Sequence, residues 1–256
     1  MIKARSFSFL AIIILLWLIC SSYAGAVNLN NIVALWLFDD DDPAIVMDSS
    51  GRGHDGQVKG GAKLVDGKFG KAMQFDGSDD VIAVPDAEDL TLSSFTLAAW
   101  FNCAGPNDQW QGIVSKDSWP IRNYSLYVHR DTKTLGSNFV HNANSDEHKE
   151  VVGAKQVMDG QWHHGAATYD MNNYRIYTDG VMEKQRSVTN KPDENALPVR
   201  IGMEGAFKGM LDEVVIFNVA LEADDITRMM DGMSKMLSPV ESKGKLTILW
   251  GGLKKL

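Results

Sequence analysis

Gly-, Asn- and Asp-rich turns break this chain so often that the segments between them are short enough only for strands. SSGRGHDG, GKFGKA and FDGSDD are examples, each set between apolar or alternating runs. Ile32 to Phe38 (IVALWLF) is a continuous apolar strand, and Val81 to Val84 is another, ended by Pro85. FTLAAWF, Phe95 to Phe101, carries apolar groups on both faces, as a strand inside a sandwich must. In YSLYV, Tyr124, Leu126 and Val128 share one face, with Ser125 and His129 on the other. QWHHGAATYD reads as a further strand, and YRIYTDGVMEK as a hairpin. Its Asp179-Gly180 pair suits a tight turn in which both central positions take positive φ. VRIG and MLDEVVIF complete the set. Many short strands with this punctuation define an all-β sandwich or barrel.

One helix is expected. Ile226, Met229, Met230 and Met233 recur at helical spacing after LEADD, whose acids lie in the first turn. It is read as a cap on the sandwich edge. Beyond Met236, Ser238-Pro239 interrupts the chain, and Lys245 to Trp250 could add a strand. The expected organisation is a leader over residues 1–26, one domain over 27–234 and a tail over 235–256.

The leader reading rests on Lys3 and Arg5, the apolar run Phe9 to Cys20, and Ala24-Gly25-Ala26 in the small-x-small pattern of a signal peptide. The run falls short of the about 20 apolar residues of a membrane span. Cleavage is expected after Ala26, with Ala24 as the second choice and an uncleaved anchor as the alternative. The expected location is secreted, periplasmic or cell-surface. The leader carries no acid and two bases, so its loss takes the formal charge from −8 to −10. Such a surface repels nucleic-acid phosphates and anionic lipid. Cys20 would leave with the leader and Cys103 would remain alone, so no internal disulfide or Cys-based zinc site is expected.

The order of motifs is more specific than any one of them. ALWLFDDDD precedes VMDSSGRGHDGQV, GAKLVDGKFGKAMQFDGSDDVIAVP, FTLAAWF and IVSK. DGQWHHGAATYD, RIYTDG, VRIG and FKGMLDEVVIFNVALEADDI follow. From Ile32 to Met230 this resembles the LamG-like jelly-roll domains, kin to pentraxins and concanavalin A-like lectins. The resemblance implies a two-sheet antiparallel jelly-roll sandwich with one short C-terminal helix. Gly165 departs from it at a strand position usually filled by Val, and Glu222 stands where a helix-capping Ser is usual, which weakens the cap. The resemblance also implies a calcium ion tying the first turn to the late Gly-x-x-Asp-Glu strand. Its ligands would be Asp39, Asp48 and Asp212 with carbonyls near Gly53. The bland alternative makes Asp48 an Asx-turn residue and leaves the other acids solvated.

Catalysis is not expected. The E-x-D-x-x-E pattern of glucanases in this superfamily is missing, and glycoside hydrolysis needs two carboxylates flanking the bond. Asp212-Glu213 comes nearest, but adjacent strand residues point to opposite faces. By the same alternation, one of His163 and His164 is expected in the core and the other on the surface. Trp36, Trp100 and Trp162 are assigned to the core. Trp110 and Trp119 flank the segment between FTLAAWF and YSLYV; with Tyr124 they are the candidate sugar-binding residues, since sugars stack on exposed indoles. Alternatively these rings pack in a satellite core. The function expected is an exported, non-catalytic module for a glycan or glycoprotein partner, with no nucleic acid and no membrane beyond the leader. The alternative is a structural or adhesion domain that binds protein without sugar.

Overall fold

The computed structural model describes residues 27–40, 42–103, 109–143, 147–202 and 207–237. The expected signal peptide and nearly all of the expected tail, including Lys245 to Trp250, lie outside these. Among the described residues the first eight strands are β1 (Ile32–Trp36), β2 (Ile45–Val46), β3 (Gly56–Lys59), β4 (Lys63–Asp66), β5 (Lys71–Asp76), β6 (Val81–Val84), β7 (Phe95–Cys103) and β8 (Gln111–Ser118). The other eight are β9 (Ile121–Val128), β10 (Thr134–Val140), β11 (His148–Gln156), β12 (Trp162–Tyr169), β13 (Asn173–Thr178), β14 (Val181–Ser187), β15 (Val199–Ile201) and β16 (Lys208–Phe217). Two short helices follow, α1 (Ala223–Met229) and α2 (Met233–Leu237).

The strands form two eight-stranded antiparallel sheets. One has the order β14-β13-β12-β7-β16-β5-β4, with β1 paired to β16. The other runs β11-β10-β9-β8-β15-β6-β3-β2. This is the jelly-roll sandwich expected from the motif order. Trp36, Phe75, Phe95, Phe101, Tyr124, Phe139, Tyr169 and Tyr174 fill the space between the sheets. Leu97, Ala99 and Phe101 of β7 point into that core, while Ala98 joins a second apolar cluster on the outer face of the first sheet. There Ile226, Met229 and Met233 of the helices cover Leu35, Val215 and Phe217. Both faces of β7 are therefore buried, which is why its sequence is apolar throughout.

Three local readings survive contact with the structure. Asp179 and Gly180 take φ of 49° and 77° in the β13–β14 turn. Glu222 caps α1 without a side-chain hydrogen bond. Gly165 replaces a larger residue because a Cβ there would sit 2.9 Å from both Leu135 Cδ2 and Phe101 Cε1.

Three others are corrected. Gly232, at φ +102°, splits the expected single helix into α1 and α2. His163 and His164 diverge to opposite faces, yet both are buried, because the outer face of this sheet is itself covered. His163 Nδ1 lies 2.8 Å from Asp179 Oδ2 and its Nε2 3.1 Å from Asp159 Oδ1. His164 packs against Trp100, and burial lowers its pKa to about 4. Finally, Asp212 and Glu213 do not point apart. Asp212 pairs with Trp100 and Val215 with Ala98, so β16 holds one extra residue there, with Glu213 at φ +46°. Such a bulge breaks the period of two.

Candidate functional site

The outer face of the second sheet carries a groove of about 450 Å³. Its floor comes from β8, β9, β10 and β11, and Trp110 and Trp119 stand at its ends, one just before β8 and one just after it. Two bulges decide which side chains reach it. Gly112 pairs with Tyr127 but Val114 with Leu126, so Ile113 is an extra residue in β8. Ile113 and Val114 both enter the core, which leaves Gly112 and Ser115 facing out. Lys116 pairs with Tyr124 but Asp117 with Arg122, so Asn123 is extra in β9. Strict alternation would put Arg122 on the core side with Tyr124; the bulge turns it to the groove. Asn123 itself is fully buried, donating to the carbonyls of Leu92 and Asp193 and accepting from Leu92 N–H.

The floor is a connected polar network. Arg122 donates from Nε and Nη2 to Asp117 Oδ2 at 3.0 and 2.7 Å, and from Nη1 to Asn138 Oδ1 at 2.6 Å. Ser115 Oγ donates to Asp117 Oδ1 at 2.7 Å and Ser125 Oγ to Asn138 Oδ1 at 2.8 Å. The Tyr127 hydroxyl donates to Glu150. Burial first, then the Glu150 charge, push that hydroxyl's pKa up, so it stays a donor. Gly136 lies beneath the Tyr127 ring, where a Cβ would meet Cε2 at 2.6 Å. Networks of this kind hold their members in one arrangement before any ligand arrives.

The two tryptophans differ in setting. Trp119 is 67% exposed and stacks on His148, centroids 4.8 Å apart and planes within 10°. Trp110 is half-buried, edge-on to Tyr127 at 5.0 Å and beside His129 at 4.3 Å. Both line the groove. Tyr124 does not. It is fully buried, with its hydroxyl donating to Leu90 O at 3.0 Å, so it belongs to the core and cannot touch a ligand in the groove. The sequence reading passed over Asp117, Arg122, Tyr127, Asn138, His148 and Glu150. Tyr127 could have been found, because the alternation that sends Tyr124 inward sends Tyr127 outward. Of the three tryptophans assigned to the core, only Trp36 lies between the sheets; Trp100 is buried on the outer face and Trp162 is half-buried.

The expected calcium ligands separate into two places. Asp48 accepts from Leu35 N at 3.0 Å, Ser50 N at 2.9 Å, His54 N at 3.0 Å and Ser50 Oγ at 2.7 Å. Burial raises its pKa, but these hydrogen bonds outweigh it and hold the carboxyl below its ordinary value. With every acceptor site used, Asp48 is a turn residue, as the bland alternative had it. Asp39 and Asp212 instead converge on the β4–β5 turn, accepting from Lys71 N and Phe69 N at 2.9 Å each. Glu213 joins them and accepts from Met233 N at 2.9 Å. Asp212 Oδ1 and Glu213 Oε2 are buried with no hydrogen-bond partner. Burial, then charge repulsion among these acids, raises both carboxyls to about 7. Among the described residues, the three acids close enough to share one ion are a different set, Asp76, Asp79 and Asp80. Two of these already serve loop backbone: Asp80 takes the N–H of Gly61 and Asp76, and Asp76 that of Ser78.

The two-sheet jelly roll thus carries an aromatic-ended groove on one face. Residues 76–227 match the Laminin_G_3 profile, described as the concanavalin A-like lectin/glucanases superfamily, and the chain belongs to that family. No curated protein sequence matches the chain. Among solved structures, it is similar to the binding domain of Paraclostridial Mosquitocidal Protein 1, at TM-score 0.68 and 17% identity over 80% of this chain and 53% of that one. It is similar to the binding domain of Botulinum neurotoxin DC in complex with SialylT, at TM-score 0.65 and 15% identity over 79% of this chain and 52% of that one. It thus spans about half the length of these toxin domains. It is also similar to domain 4 of AbnA, a GH43 extracellular arabinanase from Geobacillus stearothermophilus, in complex with arabinotriose. Here the TM-score is 0.61 and the identity 21%, over 78% of this chain and 98% of that one. At these identities the likeness concerns the fold. Among the described residues no helix is long and apolar enough to cross a membrane.

Proposed function

We propose that this protein is a non-catalytic carbohydrate-binding module, exported by its N-terminal leader, whose ligand lies in the groove between Trp110 and Trp119. The observation that carries this reading is an indole at each end of a groove with a preordered polar floor. Sugars offer C–H faces to aromatic rings and hydroxyls to fixed donors and acceptors, and this groove supplies both. Trp119 is far too exposed to be satellite core, which favours this reading over a purely structural or adhesion role. The similar structures named with arabinotriose and with SialylT support a glycan or glycoprotein partner. The groove also holds two carboxylates, Asp117 and Glu150. The first pairs with Arg122 and accepts from Ser115, and the second accepts from Tyr127, which supports a holding role for both. Asp212 and Glu213 are buried and do not line this groove.

A calcium staple is part of the proposal, moved from the expected triple. Asp212 would hold the ion, with backbone carbonyls and water completing its shell, because an orphaned buried carboxylate oxygen is what a hard cation completes. Asp48 is left out. The ion would offset repulsion and tie the β4–β5 turn to β16.

A glycan array read with the wild type, Trp119→Ala and Trp110→Ala tests the function. Signals lost in both variants support it. Signals unchanged in both, or no bound glycan with a protein that remains folded, would reject it.

A further inference from the structure

Taking the groove as sugar-binding, we propose that it receives a run of several neutral sugar units laid along β8 and β9, rather than a single terminal sugar or an acidic glycan. Trp110 and Trp119 are nine residues apart. At about 3.3 Å per residue their Cα atoms would stand roughly 30 Å apart on a straight strand. The bulge at Ile113 and the inward reach of the rings shorten this span, but one sugar ring cannot touch both indoles. Each indole is also built into its own end. Trp119 rests on His148, and Trp110 is braced by Tyr127 and His129. Between them the floor offers a row of polar atoms on Ser115, Asp117, Arg122 and Asn138.

Asp117 and Glu150 face one cation, Arg122, among the charged residues that line the groove. Three of the guanidinium N–H groups already go to Asp117 and Asn138. Arg130 lies over Trp110 at the end of the groove, paired with Asp131. An acidic sugar would meet an excess of negative charge there, in a chain whose net charge is −8.

Titration calorimetry on the full mature chain decides the matter. The probes are neutral arabinan, xylan and β-glucan ladders from monosaccharide to hexasaccharide, with oligogalacturonan and sialyllactose as acidic counterparts. At least one neutral ladder is expected to gain affinity tenfold or more with length before levelling off. On its longest member, Trp110→Ala and Trp119→Ala should each cost about tenfold, while on the shortest binder only one of them should matter. A monosaccharide that binds as tightly as the hexasaccharide would overturn the length inference and leave sugar binding standing. Tighter binding of either acidic probe would overturn neutrality. Failure of every probe on folded protein would reject the sugar-binding reading itself. Trp119 is exposed enough that its alanine variant keeps the fold, and melting curves run in parallel check this for Trp110→Ala.

Discussion

Asp117 and Arg122 form a two-point ion pair in the floor of the groove only because Asn123 is an extra residue in β9. The fork of the guanidinium meets Asp117 Oδ2 through Nε and Nη2, and its remaining arm reaches Asn138 on the next strand. The side chains are 15% and 11% exposed, so the pair is shielded from water and screened less than a surface pair. A single sequence slip thereby joins β8, β9 and β10 into one rigid platform.

Arg122→Lys should separate charge from geometry. Lysine keeps the positive charge but cannot make the planar two-point contact or span to Asn138. Glycan affinity is expected to fall severalfold, with a modest loss of stability. Arg122→Ala leaves Asp117 buried without its counter-ion and should cost about 1–3 kcal/mol, read as a lower denaturation midpoint in urea. Equal affinities for wild type and Arg122→Lys would show that the platform serves the fold alone.

Tyr124→Phe tests the assignment of this ring to the core. The hydroxyl bond to Leu90 O is lost and the buried carbonyl is left without its partner, at a cost of about 1–3 kcal/mol. Glycan binding should not change. A binding defect at unchanged stability would return Tyr124 to the ligand site.

What the sequence made legible follows the range of each signal. Turn chemistry and alternation are local, so the Asp179-Gly180 hairpin and the doubly buried β7 were readable. The groove was not. Ser115, Arg122, Asn138 and Glu150 lie on four strands and meet only through strand order. Three of the strands, β8, β9 and β11, carry irregularities set by cross-strand register, which no single strand announces. The same blindness affected Asp212 and Glu213, because a period of two places them on opposite faces until β16 is seen to carry an extra residue. Asp48 shows a different limit. An Asx turn and a calcium loop use the same residues, and only the saturated hydrogen bonds of the carboxylate tell them apart.

Gly165→Val restores the residue usual at this position in LamG-like domains, yet it should destabilise this chain. The new side chain would overlap Leu135 and Phe101, and overpacking of this kind costs about 1–3 kcal/mol. Adding Leu135→Ala should recover part of the loss, since the two changes share one space and do not add. Strict additivity in thermal melts of the two single variants and the double variant would contradict this.

The buried acids beneath α2 make a prediction that joins pH to calcium. The Asp212 and Glu213 carboxyls rise from ordinary values of 3.8 and 4.5 to about 7 on folding, because burial disfavours their charge. Between about pH 4 and 7 the folded state therefore holds protons that the unfolded chain has released, and stability falls as pH rises through that window. His164 acts in the opposite sense. Burial lowers it from 6.5 to about 4, so the unfolded chain binds its proton in that range and stability rises with pH. Two carboxyls outweigh one imidazole, so the net change is still a fall, and it ends above pH 7, where the carboxyls are ionised in both states. In chelator, the melting temperature should thus drop from pH 5 to pH 8. Calcium at pH 8 should reverse the drop, since an ion bound only by the folded state stabilises it by about 2.7 kcal/mol at a hundredfold excess over its dissociation constant. For a domain of this size that is several degrees. Asp212→Asn should flatten the pH dependence and abolish the calcium response. Asp48→Ala should lower the melting temperature equally in calcium and in chelator, because its carboxylate serves the turn. Superimposable melting curves in calcium and in chelator at pH 8 and matched ionic strength would remove the ion, leaving Asp212 and Glu213 as strained residents of the bulge.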